Sequence, residues 1–230
     1  MASGPTLRIS GDPVATASEE LCDAVSRGLD EGEFVRLAIP GGSALGALPD
    51  AREQLGDAWT RVALTWVDER CVPVEDPDSN RGVVRRLGLL EDPAPASELP
   101  LYENEESPAQ AVERVTAGLQ STFDNALDVL LLGMGEDGHI ASLFPARGRP
   151  LHGLVAHVAD SPKPPSDRIT LTRAILTTAR DAILVVTGER KRSALENLLA
   201  GDARLPAHGL PGLVIVTDLE IAEWKDEANA

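Results

Sequence analysis

Four predominantly apolar runs of strand length punctuate the chain, at 34–39, 62–67, 128–132 and 182–187, and each ends in a loop containing Gly or Asp. Strands covered on both faces read as continuous apolar runs rather than as alternating ones. Between them the apolar spacing turns helical. Residues 13–29 place Val14, Leu21, Val25 and Leu29 on roughly one face, with Pro13 suited to a first turn and Gly28 and Gly32 flanking the end. A helix is predicted to start at Ser43 with the serine as its cap. Residues 108–123 carry Ala111, Val115, Ala117, Leu119 and Phe123, and a further helix runs from the loop at 188–191 to Ala200. Short strands are expected at 6–9, 154–158, 168–172 and 213–217, and a terminal helix at 220–226. Pro73, Pro77, Pro93, Pro95 and Pro100 make 73–105 irregular apart from a short helix near 80–87. Strands alternating with helices predict an α/β fold, a doubly wound and mostly parallel sheet flanked by helices. No composition break marks a linker, so residues 1–230 are expected to form a single domain.

The bulk chemistry narrows the partners. With 21 Lys plus Arg against 37 Asp plus Glu, the formal charge is −16. That opposes nucleic acid and anionic membrane surfaces, and aromatic residues, at 3%, offer few stacking platforms for bases. A small anionic substrate is still compatible, provided the few cations are concentrated at its site. Cys22 and Cys71 form no C-x-x-C pair or disulfide framework, and no signal peptide or membrane-length apolar run is visible. A cytoplasmic location is therefore expected.

The loops after the apolar runs hold the candidate chemistry. Gly133-Met134-Gly135-Glu136-Asp137-Gly138 reads as G-x-G-x-x-G, and Asp160 lies near the distance at which a dinucleotide fold places its ribose-binding acid. Pro145 follows Gly138 so closely that the long helix needed beneath a pyrophosphate has no room. Gly41-Gly42-Ser43-Ala44-Leu45-Gly46 has P-loop spacing, but Ala47 and Leu48 stand where Lys and Ser or Thr are required. What survives is a glycine turn whose backbone N–H groups can hold one phosphate. No G-x-S-x-G elbow is present. Cys71 beside Arg70 is a candidate low-pKa nucleophile or simply a small residue at a strand end. His152, His157 and His208 read as surface residues, and no metal site is expected. Asp137-Gly138-His139 stands apart: a carboxylate beside an imidazole fixes its tautomer and raises its basicity, the arrangement of a His that activates water.

With these motifs in hand, the chain resembles the glucosamine-6-phosphate isomerase/6-phosphogluconolactonase family. The segment from Leu132-Gly133-Met134-Gly135-Glu136-Asp137-Gly138-His139 through Ile140-Ala141-Ser142-Leu143-Phe144-Pro145 is similar to the lactonase signature. Four other segments agree in order: Pro40-Gly41-Gly42-Ser43, Trp66-Val67-Asp68-Glu69-Arg70-Cys71-Val72-Pro73 with Ser79-Asn80, Lys163-Pro164-Pro165 leading to Arg168-Ile169-Thr170-Leu171-Thr172, and Val186-Thr187-Gly188-Glu189-Arg190-Lys191. The family's deaminases share the Asp-Gly-His core but usually continue with Phe-Asn, whereas here Ser142-Leu143-Phe144-Pro145 follows. Pro40, Ala44, Leu45 and Ala146 depart from the common pattern. The resemblance implies the deaminase-type fold, hydrolysis of 6-phospho-D-glucono-1,5-lactone in the oxidative pentose phosphate pathway, and no metal or organic cofactor. It implies His139 as general base with Asp137 orienting it. Gly41, Gly42, Ser43 and Lys191 would hold the phosphate, and Arg70 and Arg168 would bind lactone hydroxyls or stabilise the oxyanion. A deaminase-like enzyme and a non-catalytic sugar-phosphate-binding module on the same fold are the alternatives. A monomer is expected.

Overall fold

The computed structural model describes residues 4–145 and 151–221. The expected loop at 146–150 and most of the expected terminal helix lie outside them. Seven strands form the main sheet, in the order β1 (Thr6–Ile9), β10 (Leu213–Thr217), β9 (Asp181–Val186), β6 (Val129–Gly133), β2 (Val35–Ile39), β3 (Val62–Trp66) and β5 (Ser97–Leu99). Every neighbouring pair is parallel. All five residues of β3 are buried, and β2, β6 and β9 each leave only one terminal or penultimate position partly exposed. Strands embedded between two layers have no polar face, which is why their apolar runs are unbroken.

Helix α1 (Pro13–Glu31) lies against β2, β6, β9 and β10, and against α2 (Ala47–Leu55). Asp12 caps α1 by accepting from the Ala15 amide at 3.1 Å, and Pro13 occupies the first turn. Its buried stripe is Ala17, Leu21, Ala24, Val25 and Gly28 rather than the stripe through Val14 and Leu29. Gly28 is interior to the helix, not at its end. A Cβ there would fall 2.5 Å from Cγ2 of Val35, so glycine lets the helix approach β2 closely. Helix α4 (Pro108–Thr122) starts with a capping box in which Ser107 and Gln110 satisfy each other's backbone. Ala111, Val115 and Leu119 are its buried face, while Ala117 is exposed. Two short helices, α3 (Asn80–Arg86) and α5 (Arg173–Leu176), and α6 (Arg192–Leu199) complete the set.

The strands expected at 154–158 and 168–172 form, but outside the main sheet. Here β7 (Val155–Val158) and β8 (Arg168–Leu171) pair antiparallel, and β8 pairs antiparallel with β4 (Asp68–Arg70). The chain thus leaves β3, turns at Val67 and joins a second, three-stranded sheet. This sheet stands at the carboxyl end of the first, because β4 follows β3 almost directly. No helix of the described residues is long and apolar enough to cross a membrane.

Candidate active site

Open α/β sheets bind ligands where the strand order reverses, because the two flanking loops leave in opposite directions. Here the reversal lies between β2, from which the chain proceeds to β3 and β5, and β6, from which it proceeds to β9 and β10. The β2–β6 ladder joins only Leu37 to Val129 and Ala38 to Leu130, whereas β6 pairs with β9 as far as Gly133. The strands therefore part at their carboxyl ends. A cleft of about 310 Å³ opens there, lined by Gly41, Gly42, Ser43, Asp68, Arg70, His139, Lys163, Arg168 and Lys191 among others.

The first wall is the turn after β2. It is a 3-10 turn, Gly42–Gly46, led by Gly41 rather than a helix capped by Ser43; α2 starts only at Ala47. Gly41, Gly42 and Ser43 line the cleft, and the leading amides of the turn precede any intrahelical acceptor. Gly42 has φ of +70°, and a Cβ on Gly41 would lie 1.9 Å from Oδ1 of Asn80. Asn80 in turn donates from Nδ2 to the Asp68 carbonyl at 2.8 Å and approaches the Asp68 carboxylate at 3.2 Å. The turn is thus seated on the start of α3.

The second wall is the loop after β6. His139 Nδ1 and Asp137 Oδ1 are 2.5 Å apart. With Nδ1–H donated to the carboxylate, the neutral imidazole carries its lone pair on Nε2. His139 lines the cleft; Asp137 sits behind it with its side chain 47% exposed, so only one of the pair reaches into the cleft. Burial pushes the Asp137 carboxyl up, but the hydrogen bond and charge of His139 outweigh it and hold it below its ordinary value. The glycines make the dyad possible. A Cβ on Gly135 would fall 2.2 Å from Nδ1 and Cε1 of the imidazole. The imidazole occupies the space over Gly135, the second glycine of the G-x-G-x-x-G spacing, and among the described residues no α-helix follows Gly138 before Pro145. Phe144 completes the seat, its ring centroid 4.7 Å from that of His139.

The third wall is the small sheet. Arg70 and Arg168 are direct cross-strand partners, as are Asp68 and Thr170. Because side chains alternate along a strand, Asp68, Arg70, Arg168 and Thr170 share the face toward the cleft. Two like charges directly opposite destabilise a sheet unless something between them is negative. Asp68 supplies part of that: its Oδ2 lies 3.6 Å from Arg168 Nη1 and accepts from the Ser142 hydroxyl at 2.6 Å. Burial pushes the Arg168 guanidinium below its ordinary value, Asp68 opposing. Glu69 faces the other way and is 2% exposed. It accepts from the amides of Arg70, Asn80 and Arg81 and from the Ser79 hydroxyl, fastening α3 to β4. Burial pushes this carboxyl up against the pull of those amides.

Lys191 follows β9 and lines the cleft, half-buried. Burial, and then the charge of Lys163, push its ammonium below the ordinary value. Every residue expected at the site thus falls in one place. Asp68, Ser142, Asn80, Glu69 and Lys163 were not singled out, although all five lie inside the matching motifs. Cys71 lacks the low pKa of an activated nucleophile: burial, then the charges of Asp167 and Glu69, push its thiol up to about 12. His157 does have a carboxylate partner, Asp167 at 2.8 Å, but both are on the surface.

Fold and site together define the class: a doubly wound α/β protein whose switch-point cleft gathers cationic side chains and an imidazole backed by Asp137. Residues 11–214 match the family described as glucosamine-6-phosphate isomerases/6-phosphogluconolactonase, and the chain belongs to that family. It is 36% identical over 208 residues to 6-phosphogluconolactonase of Homo sapiens, covering 84% of this chain and 79% of that one. Against 6-phosphogluconolactonase of Mycobacterium leprae it is 34% identical over 218 residues, 87% of each. The fold superposes on the 6-phosphogluconolactonase crystal structure from Thermotoga maritima with a TM-score of 0.79, at 24% identity and covering 93% and 98% of the two chains. A monomeric glucosamine-6-phosphate deaminase shares the fold at a TM-score of 0.72, with 19% identity and 94% and 96% covered.

Proposed function

We propose that this protein hydrolyses 6-phospho-D-glucono-1,5-lactone to 6-phospho-D-gluconate, acting in the pentose phosphate pathway. The observation that carries the reading is His139, backed by Asp137, opening into the same cleft as the glycine turn and Lys191. One end of the cleft suits a phosphate and the other a proton transfer. In this reading the amides of Gly41, Gly42 and Ser43 and the Lys191 ammonium take the phosphate. The lactone carbonyl then lies near His139 and Arg70. Nε2 of His139 accepts a proton as water adds to the carbonyl carbon, and Asp137 stabilises the imidazolium. Arg70 donates to the developing oxyanion, a role worth roughly 10²–10³ in rate. One of its Nη1 hydrogens goes to the Asp78 carbonyl at 2.6 Å, leaving Nη2 for substrate. Collapse of the intermediate breaks the ring C–O bond, and the imidazolium returns its proton to the departing ring oxygen. Arg168 adds positive charge behind Asp68.

The residues that separate lactonases from deaminases touch this machinery. Phe144 packs its ring at a tilt of 47° against His139, and Ser142 donates to Asp68. The test is consumption of freshly generated 6-phospho-lactone above its spontaneous hydrolysis, with release of ammonia from glucosamine-6-phosphate measured in parallel. Lactone turnover without ammonia supports the proposal; ammonia release alone assigns the site to the deaminase reaction.

A further inference from the structure

Arg168 is 4% exposed, and most of its donors are already committed. Nε donates to the Pro165 carbonyl at 3.2 Å, and Nη2 to the Lys163 carbonyl at 3.0 Å with Pro164 at 3.5 Å. Nη1 faces Asp68. Three consecutive carbonyls therefore converge on one buried guanidinium. In the segment they belong to, 161–167, residues 162–164 are exposed; the Ser161 amide donates to the Ser166 carbonyl at 2.9 Å, the Lys163 amide reaches the Ser161 hydroxyl at 3.4 Å, and the C-terminal end is pinned at Asp167, whose carbonyl accepts from the Cys71 amide at 3.0 Å and whose carboxylate meets His157 at 2.8 Å and the Ser166 hydroxyl at 3.0 Å. Its one cation, Lys163, lines the cleft with Lys191 and the glycine turn. Among the described residues neither lysine has a carboxylate within ion-pairing distance, although Asp and Glu outnumber Lys and Arg by 37 to 21 in the chain.

Two ammonium groups with no ion-pair partner among the described residues share the cleft with the glycine turn; the charge of Lys163 opposes that of Lys191, which Glu136 and Asp218 only partly offset, and together they make a receptor for a dianion. A phosphate monoester carries about −1.5 to −2 charges near neutrality, so one lysine leaves it undercompensated. A lysine on a loose Pro-rich loop would have to be ordered at each binding event, and fixing the loop beforehand removes that penalty.

Resting on the lactonase reading, we propose that Lys163 closes the phosphate receptor opposite Lys191, and that Arg168 is a positioning residue that holds Lys163 in place. Lys163 thereby makes the site select a phosphorylated lactone over a neutral sugar lactone. Arg168 acts through the 163–165 carbonyls rather than by gripping the lactone.

The experiment is steady-state hydrolysis of 6-phosphogluconolactone and of unphosphorylated glucono-1,5-lactone by wild type, Lys163→Met, Arg168→Lys and the double variant. Loss of a charged hydrogen bond predicts a rise of roughly 10- to 100-fold in KM for the phosphorylated lactone in Lys163→Met. kcat should hold, and kcat/KM for the neutral lactone should change far less. Arg168→Lys keeps the charge but cannot reach three carbonyls; it should reproduce the selective rise and add little to Lys163→Met. An unchanged KM in Lys163→Met would overturn the receptor. Equal losses on both lactones in Arg168→Lys, additive with Lys163→Met, would overturn the positioning role. Should Arg168→Lys fail to fold, replacing Pro164 and Pro165 together by Gly loosens the same segment without touching the core, and an unchanged preference there overturns positioning equally. If wild type turns over neither lactone, the lactonase reading itself fails. Calorimetric titration of wild type and Lys163→Met with 6-phosphogluconate then decides the receptor alone, equal affinities counting against it.

Discussion

At the residue scale, the site depends on one missing methyl group. Gly135 leaves the volume into which His139 and Asp137 fold, so Gly135→Ala must push the imidazole off the carboxylate or out of the cleft. We expect this variant to fold with near wild-type circular dichroism and to lose lactone hydrolysis almost as fully as removal of His139. Retained activity would place proton transfer elsewhere. The same pair fixes a pH dependence. Because the Asp137 carboxyl is held below its ordinary value, its contribution to stability is complete above the ordinary aspartate range and is lost as pH falls through the lower value of the folded protein. Thermal melts of wild type and Asp137→Asn should therefore differ at neutral pH and converge in acid; a gap that widens in acid would reverse the sign. Cys71, within a residue of Arg70, is a control. With its thiol at about 12, on the order of one molecule in 10⁴ is thiolate at pH 8. Cys71→Ser should keep full kcat, and iodoacetamide should not inactivate the native protein.

At the scale of elements, the strands of four residues or more were legible and the three-residue ones were not. The runs at 34–39, 62–67, 128–132 and 182–187 became β2, β3, β6 and β9 within about a residue, since burial on both faces leaves no polar position to confuse the period. The three-residue strands β4 and β5 carry charged residues, Asp68-Glu69-Arg70 and Ser97-Glu98-Leu99, and no periodicity can be read from so few positions. Their strand character comes from partners distant in sequence: β4 exists because β8 pairs with it 100 residues later. The serine expected to cap a helix at Ser43 sits instead inside a 3-10 turn, because Gly42 at positive φ turns the chain earlier. Glu69 shows how much such a short strand can carry. Its carboxylate collects three amides and a hydroxyl, so Glu69→Ala leaves several buried donors without partners, at about 1–3 kcal/mol each. Four such donors sum to about 4–12 kcal/mol, so a fall in Tm of at least roughly 8 °C is expected for a chain of this size. A loss under 2 °C would mean that water replaces the carboxylate at little cost.

For the whole molecule, the sequence patterns gave an α/β class and the loops that carry chemistry, but not their meeting point. Nothing in the spacing of Gly41, Arg70, His139, Arg168 and Lys191 says that they converge. They do so because four adjacent strands, β9, β6, β2 and β3, end on one edge, and because β4 and β8 fold a second sheet over it. Lys163 was quoted within a motif but not singled out, since an exposed lysine in a Pro-rich loop has no local signature; its place becomes visible through the carbonyls gathered on Arg168. The charge distribution follows the same logic. A molecule at −16 repels anions at long range, and Arg70, Arg168, Lys163 and Lys191 in one cleft create the local exception.

The central claim is that His139 activates water against a phosphorylated lactone. Time-resolved consumption of 6-phosphogluconolactone by wild type and by a folded His139→Gln variant tests it most directly. Wild type should turn over the lactone well above its spontaneous hydrolysis, and the variant should lose roughly 10²–10⁴ in kcat with substrate binding retained. A variant within a few-fold of wild type would contradict it.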